Sequence, residues 1–279
     1  MTSKDMSSLI ASDMPAHIEV NNPPISCYLR TKNEKRMVSE VVAAAFQIAR
    51  EVVIVDCGST DDTVAKAQAA GARVHYVPWQ GKGKQKRAAE ALCNYRYHLD
   101  LDCDEIVTAS LAEEIKALFR TDIMAGRVAA LRLVTAPPIG EPWGNVDQDY
   151  RNKLYDSEAY QMPNSEAWDQ LQLDKSIQPV KLKAPLLHYS FADIGALLKK
   201  IEGNMSQAAN YQKLKSKPYL ILRIFLGLPI YFLKRYLLKG LFLKGVYGFS
   251  FAMTTAIGRW LKDVKMYERH HFGSHDTSD

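Results

Sequence analysis

Four acids crowd the stretch HLDLDCDEIV at residues 98–107: Asp100, Asp102, Asp104 and Glu105 sit between Leu99, Leu101 and Ile106–Val107. Like charge at the end of an apolar run is either solvated at a turn or gathered around a cation. A calcium loop starting at Asp100 needs Gly at its sixth position and Glu at its twelfth; the chain has Glu105 and Leu111 there, which excludes it. A pair such as Asp102 and Asp104 suits Mg²⁺ or Mn²⁺, which need few protein ligands when phosphate oxygens supply the rest. A further acid, Asp56, ends the apolar run EVVIVD and opens the turn CGSTDDT. The stretch GKGKQK at 81–86 sets lysines at a glycine-led helix start, where they face a diphosphate or plain solvent. No G-x-G-x-x-G follows a strand and no G-x-x-x-x-G-K-S/T occurs, so neither a dinucleotide fingerprint nor a P-loop is present.

These residues need elements to position them. ISCYLRT (25–31) and EVVIVD (51–56) read as strands. Between them Met37, Val38, Val41, Val42, Ala45 and Ile48 recur at helical spacing. Ser59 or Thr60 then caps a helix with Asp61 and Asp62 in its first turn and Gly71 as its stop. RVHYV is a third strand, GKGKQKRAAEALCNY a helix, YHLDL a fourth strand and VAALRLV a fifth. The helix SLAEEIKALF opens with a capping box from Ser110 to Glu113. Strand and helix in alternation predict βαβ units and a parallel sheet. Ligands then bind outside the carboxyl ends of the strands. The polar clusters Thr31–Glu34, Asp56–Ser59 and Asp102–Asp104 fall at three such ends and converge on one crevice. After Val134 the alternation stops. TAPPIGEPWGNVDQDY is loop-like, RNKLYD, QPVKLK and LLHYSF are short mixed strands, and Asp193 caps a helix running to about Tyr211.

The charge is unevenly spread. The 279 residues carry a net +5, yet Gly203–Lys262 holds ten basic residues and no acid, so the remainder is net acidic. Such asymmetry points to an anionic partner for the basic segment, a membrane or a nucleic acid. No nucleic-acid-binding motif accompanies it, which leaves the membrane. The apolar run 219–233 is shorter than a bilayer span and contains Arg223 and Pro229. Its interleaved Lys, Arg, Tyr, Leu, Ile and Phe suit a helix lying on an anionic surface, or a pair of helices packed on the protein body. Cys27, Cys57, Cys93 and Cys103 form no C-x-x-C pair, as in a reducing compartment without a disulfide framework. The N-terminal stretch lacks the apolar core of a signal peptide, which leads to the expectation of a cytoplasmic protein.

Taken together, LRTKNE, VIVDCGSTDDT, WQGKGKQKRAAEAL and LDLDCDEIV, in this order within residues 25–135, resemble the family 2 glycosyltransferases of the GT-A fold. Within that family they are similar to the lipopolysaccharide-core glucosyl- and heptosyltransferase branch. The resemblance implies an α/β nucleotide-diphospho-sugar transferase fold with a mostly parallel sheet over 23–192. A tail over 1–22 would precede it, and C-terminal amphipathic helices over 193–279 would meet the membrane. It implies that Thr31, Glu34, Asp56, Lys86 or Arg87, and Asp102 line the donor nucleotide pocket. Asp56 would accept from a base imide such as uracil N3–H. Asp104 would ligate Mn²⁺ or Mg²⁺, with Asp102 beside it at the ribose or in the metal's shell. The metal would stabilise the departing diphosphate, and a carboxylate would take the acceptor proton. Where this branch carries a His–acid pair, the chain has Trp168–Asp169, making Asp169 the first candidate base and Glu166 the second. The implied activity is inverting transfer from a nucleotide sugar, a UDP-hexose in particular, to a lipid-linked glycan such as lipopolysaccharide core. The enzyme would work on the inner face of the cell membrane. Two rivals stay open: a polyprenyl-phosphate sugar synthase with the same donor site, and a membrane-binding scaffold on a degenerate fold. Asp56 and the Asp102–Asp104 pair argue against the scaffold.

Overall fold

The computed structural model describes residues 22–144, 146 and 149–272, so the tail expected over 1–22 lies, Asn22 apart, outside the described residues. The chain forms two compact units. The first runs to Leu133 and resumes over Asp149–His188; the second takes Val134–Gln148 and everything from Tyr189. The second unit thus draws in a loop that the sequence pattern assigns to the catalytic domain.

The strands are β1 (Ile25–Thr31), β2 (Glu51–Asp56), β3 (Arg73–Tyr76), β4 (Tyr97–Asp100), β5 (Glu105–Val107), β6 (Val128–Thr135), β7 (Asp149–Asp156) and β8 (Val180–His188). Helices α1 (Val38–Ala45), α2 (Thr63–Ala69), α3 (Lys82–Glu90) and α4 (Ala109–Arg120) connect the early strands. The strand order is β3-β2-β1-β4-β7-β6-β8-β5. Strands β3, β2, β1 and β4 pair in parallel, as the alternation predicts. Beyond β4 the ladders are antiparallel, so the expected fifth strand, β6, runs against β7 and the sheet is mixed. QPVKLK and LLHYSF contribute to one strand, β8, which pairs antiparallel with β5.

All six residues of β2 are buried, as expected of a strand covered on both faces. Successive side chains take opposite faces. Cys27, Leu29, Val52, Ile54 and Leu99 join the core under α1 and α4. Tyr28, Val53, Val55 and Tyr155 join a second core with Ala89 of α3 and with Met162 and Leu171. Two caps differ from expectation. The α4 cap is Thr108, whose Oγ1 accepts from Leu111 N at 3.2 Å; the backbone is still extended there as it leaves β5, so Ser110 already lies inside the helix. Asp62 takes the N-cap position of α2, because the Ser59 hydroxyl donates to Asp56 instead.

The start of α3 is closed by a loop from the far side of the sequence. Lys82 N donates to Glu166 O at 2.7 Å, and Gly83 N and Lys84 N both donate to Ser165 O. Carbonyls therefore occupy the helix N-terminus, where free N–H groups would otherwise attract an anion. The approach is close enough to require glycine. A Cβ on Gly83 would stand 2.2 Å from Trp168 O, and one on Gly81 would stand 2.4 Å from Glu166 Cα. Gly81 and Gly83 thus act by admitting this loop.

The second unit is helical: α5 (Ile194–Tyr211), α6 (Lys217–Leu233), a π turn (Lys234–Leu238), a 3₁₀ turn (Leu241–Lys244) and α7 (Gly245–Phe272). Asp193 caps α5 as expected, its Oδ1 accepting from Ala196 N at 2.7 Å. Trp143, Phe191, Leu197, Leu241 and Phe251 form the core. Helices α6 and α7 are braced by buried Asp263 of α7, which accepts from Arg223 Nε at 3.0 Å and from Tyr231 hydroxyl at 2.9 Å, both of α6, with Lys215 Nζ of the α5–α6 connection at 3.6 Å. Among the described residues one helical stretch, Leu241–Phe272, contains an 18-residue window apolar enough by composition to cross a membrane, with mean hydropathy 1.2. It is not the run 219–233 that composition singles out.

Two glycine-to-alanine changes should act in opposite directions. Gly83→Ala meets three backbone carbonyls and should destabilise by about 1–3 kcal/mol through overpacking. Gly203→Ala, on an open face of α5 with nothing within 4 Å of the new methyl, should stabilise by about 0.5–1 kcal/mol. Urea unfolding of the two variants measures both; a neutral Gly83→Ala would mean that the loop does not depend on this close approach.

Candidate active site

The parallel register aligns Thr31 of β1 with Asp56 of β2, and Tyr28 of β1 with Asp100 of β4. The strand carboxyl ends therefore meet at one edge. Arg30, two residues after Tyr28, points to the α3 face there, as does Asp100. A bulge supplies the next group. Leu154 and Asn152 of β7 oppose Ala129 and Ala130 of β6, leaving Lys153 as the extra residue. Such bulges re-aim a side chain, and Lys153 here turns into the acids at the end of β4.

The result is an interlocked set of charges, buried except for Asp102, whose side chain is 38% exposed. Lys86 Nζ of α3 lies 2.7 Å from Asp100 Oδ2 and 3.6 Å from Asp102 Oδ1. Lys153 Nζ lies 2.7 Å from Glu105 Oε2, 3.6 Å from Asp102 Oδ2 and 3.9 Å from Asp100 Oδ2. Asp102 N donates to Glu105 at 2.9 Å, which sets the turn between β4 and β5. Burial by itself would lower the Lys153 ammonium, but Glu105, Asp102 and Asp100 around it raise its pKa. Burial likewise works against Asp102, yet Lys86 and Lys153 hold its pKa well below the usual carboxylate range. Both lysines stay charged and Asp102 stays ionised at neutral pH. These groups line a cavity of about 210 Å³, together with Tyr150, Asp169 and His188.

Asp56, buried at the end of β2, sits in a tight turn. Its carboxylate accepts from Gly58 N and Ser59 N at 2.9 Å each and from the Ser59 hydroxyl at 2.5 Å. A carboxylate has about four acceptor sites, so the turn leaves room for one more donor. Asn33, with φ +58, ties this turn to the end of β1: its N–H donates to Ser59 Oγ at 2.9 Å and its Oδ1 accepts from Thr60 N at 2.8 Å. Thr31 is buried at the end of β1, and Glu34 is exposed on the turn that follows.

Asp104 belongs to the same turn as Asp102 but faces a different partner. Glu105 pairs in register with His188 across β5 and β8, which brings His188 Nε2 to 3.4 Å from Asp104 Oδ1. Among the described residues no three His, Cys, Asp or Glu side chains gather tightly enough to hold an ion by themselves. A carboxylate and an imidazole side by side, both partly exposed, nonetheless fit a divalent ion whose remaining positions are filled by ligand oxygens and water. Asp102, turned towards the two lysines, stands behind this pair.

The two candidate bases separate. Asp169 lines the cavity, and its Oδ2 accepts from Arg30 Nη2 at 2.6 Å. Arg30 also donates to Lys82 O at 3.0 Å, so one guanidinium links β1, the start of α3 and the 165–171 loop. Glu166 projects outward to Lys84 at 2.8 Å, its side chain 66% exposed. Arg87 is the site candidate that stands apart: it donates to Met162 O at 2.7 Å and Gln161 Oε1 at 2.5 Å and braces the loop after β7. Sequence reasoning marked Asp100 and Glu105 in the acidic stretch without giving them a role, and did not single out Arg30, Lys153 or His188 for the site. The fragments RNKLYD and HYSF that contain the last two were visible as strands; the bulge and the β5–β8 register that aim them were not.

The family model for glycosyl transferase family 2 matches residues 26–136, from β1 to just past β6. An uncharacterized glycosyltransferase of Rickettsia bellii (strain RML369-C) is 31% identical over 262 residues, 90% of this chain and 88% of its own length. The lipopolysaccharide core biosynthesis glycosyltransferase LpsC of Rhizobium meliloti (strain 1021) is 28% identical over 254 residues, 88% of this chain and 93% of its own. Among solved structures, glucosyl-3-phosphoglycerate synthase from Mycobacterium tuberculosis in complex with UDP is 26% identical, with a TM-score of 0.27; the match covers 37% of this chain and 38% of that one. Near full-length relatedness at this identity, together with the matched α/β half and its strand-end acids, means that the chain belongs to the family 2 glycosyltransferases.

Proposed function

We propose that the protein is an inverting glycosyltransferase that moves a sugar, most simply a hexose, from a UDP donor to a lipid-linked glycan at a membrane surface. The observation that carries this reading is the parallel register that brings Asp56 and the end of β4, which leads into the Asp102–Asp104 turn, to one sheet edge, with Asp102 and Asp169 lining one cavity there. Relatedness to a lipopolysaccharide core enzyme and the basic C-terminal helices support the acceptor class and a location on the inner face of the cell membrane.

Each residue then has a task. The spare acceptor site of Asp56 suits the imide N–H of uracil. Thr31 and Glu34 would flank that base position, and Lys86, beside Asp100 and Asp102, would sit near the base or the diphosphate. Mn²⁺ or Mg²⁺, when bound, would be held by Asp104 and His188 with Asp102 close by, and would offset charge on the leaving diphosphate. Lys86 and Lys153 keep Asp102 ionised and hold the crowded acids in place, so the site needs little rearrangement as charge moves. Asp169 would take the acceptor hydroxyl proton. Arg30 occupies one of its oxygens and so fixes the direction of the other.

Three experiments test this. In a thermal-shift panel of nucleotide sugars with Mn²⁺, UDP-hexoses should raise the melting temperature most, since ligand at about 100 times Kd adds about 2.7 kcal/mol to the native state. No shift with any nucleotide would favour the scaffold. A polyprenyl phosphate accepting sugar better than a glycan would favour the synthase.

Asp104→Asn and His188→Ala should each keep the fold yet abolish the extra thermal shift that Mn²⁺ adds to UDP. A full Mn²⁺ increment in both variants would remove the metal from this pair.

Asp169→Asn should lower kcat by about 10² or more and leave the donor KM within about twofold, whereas Glu166→Gln changes kcat little. The opposite ranking would move the base to Glu166.

A further inference from the structure

The second unit contains a cavity of about 560 Å³ that the sugar chemistry does not use. Its walls come from α5, α6, the π turn and α7. Five cations line it: Arg223, Lys234, Arg235, Lys239 and Arg259; among the described residues no carboxylate does. Its floor is apolar, with Ile201, Met205 and Ile230. The nearby acid, Asp263, is already engaged by Arg223, Tyr231 and Lys215. The excess of positive charge is felt by neighbours: burial and then Arg259 and Lys215 push the Lys262 ammonium below its ordinary value.

The helices around this cavity turn apolar side chains outward. Only Leu220 and Gly227 of α6 are buried. Phe225, Leu238 and Val246 are 78%, 80% and 82% exposed. A Pro at 229 inside α6 and the π turn that follows interrupt the regular ladder there. Such irregular helical turns concentrate at functional sites. An occupant must therefore satisfy cations and apolar surface at once. A second copy of the chain does not: a two-fold contact sets the same patch against itself, and no acid exists between Gly203 and Lys262 to meet the basic residues. Like charge across an interface is repulsive. An anionic amphiphile meets both demands.

We propose that this cavity is a seat for one membrane phospholipid, its phosphate held by Lys234 and Arg259 with Arg223 behind them, and its chains entering over Ile201, Met205 and Ile230. This deepens the membrane part of the reading above and is independent of the sugar donor. Seated in this way, the lipid fixes which side of the helical unit faces the bilayer, a constraint that diffuse attraction to a charged surface does not supply.

The test is flotation of the full chain with phosphatidylcholine vesicles, with and without one-fifth phosphatidic acid. Lys234→Gln/Arg259→Gln removes two exposed cations from the cavity; Lys213→Gln/Lys217→Gln removes two from outside it. Circular dichroism checks that both variants keep their helices. The expected result is at least tenfold preference for phosphatidic acid, lowered at least fivefold by the cavity variant and less than twofold by the control. Native mass spectrometry with short-chain phosphatidic acid should show one lipid per chain, lost in the cavity variant. Equal loss in both variants, with anionic preference intact in the wild type, would overturn the seat and keep the membrane reading. No flotation on either vesicle would overturn both. Inorganic phosphate displacing the short-chain lipid at equal concentration would make the occupant a free anion. A stable dimer that the cavity variant abolishes would make it a second copy.

Discussion

The charge cluster of buried Lys86, Lys153, Asp100 and Glu105 with half-buried Asp102 is the constraint around which the first unit is arranged. Buried ions are tolerated when paired and hydrogen-bonded, and removing one partner typically costs about 3–5 kcal/mol. Here each lysine has more than one acid within 4 Å. The cluster consequently ties together α3, β4, β5 and the bulge of β7, elements far apart in sequence. It explains why a sheet that begins as a parallel βαβ array continues with an antiparallel strand beside β4: that strand delivers the second lysine. It also braces the turn Asp102–Asp104, since Glu105 holds both the Asp102 N–H and Lys153.

A second layer supports this cluster from below. Tyr28 and Tyr155 share a hydrogen bond of 2.7 Å, Tyr155 donates to Glu90, and Met162 N donates to the same carboxylate at 3.0 Å. His98 packs edge-on against both tyrosines. Burial raises the Glu90 carboxyl above its ordinary value, as expected of an acid held among aromatic rings. The floor of the crevice is thus polar but closed. The side chains above it are held from underneath as well as by one another.

Much of this was legible in the chain. Continuous apolar runs marked β1, β2 and β4, and their acidic ends marked the crevice, because parallel strands place their carboxyl ends together whatever the loops do. The four-strand parallel core needs only local patterns to be read. Lys153, His188 and Arg30 were hidden for another reason. A bulge, an antiparallel register and one guanidinium's choice among three elements are tertiary facts with no local signature. The lysines of GKGKQK show the same limit. Their spacing left a diphosphate and plain solvent equally open, whereas the space those glycines leave is filled by the 163–168 loop and its carbonyls. Only Lys86, on the buried side of α3, reaches the acids; Lys84 turns outward to Glu166.

The second unit does not begin where the first one ends. Trp143 and Val146, part of its core, come from the connection between β6 and β7, long before α5 is reached. During synthesis this loop emerges first, with its indole unburied, and waits for Phe251, which closes on it edge-to-face at 5.0 Å. Such long-range closures are slow steps that expose apolar surface in the interval. The helices are for that reason no detachable appendage. A chain cut after His188 would carry an orphaned tryptophan, and the helices alone would lack part of their own interior.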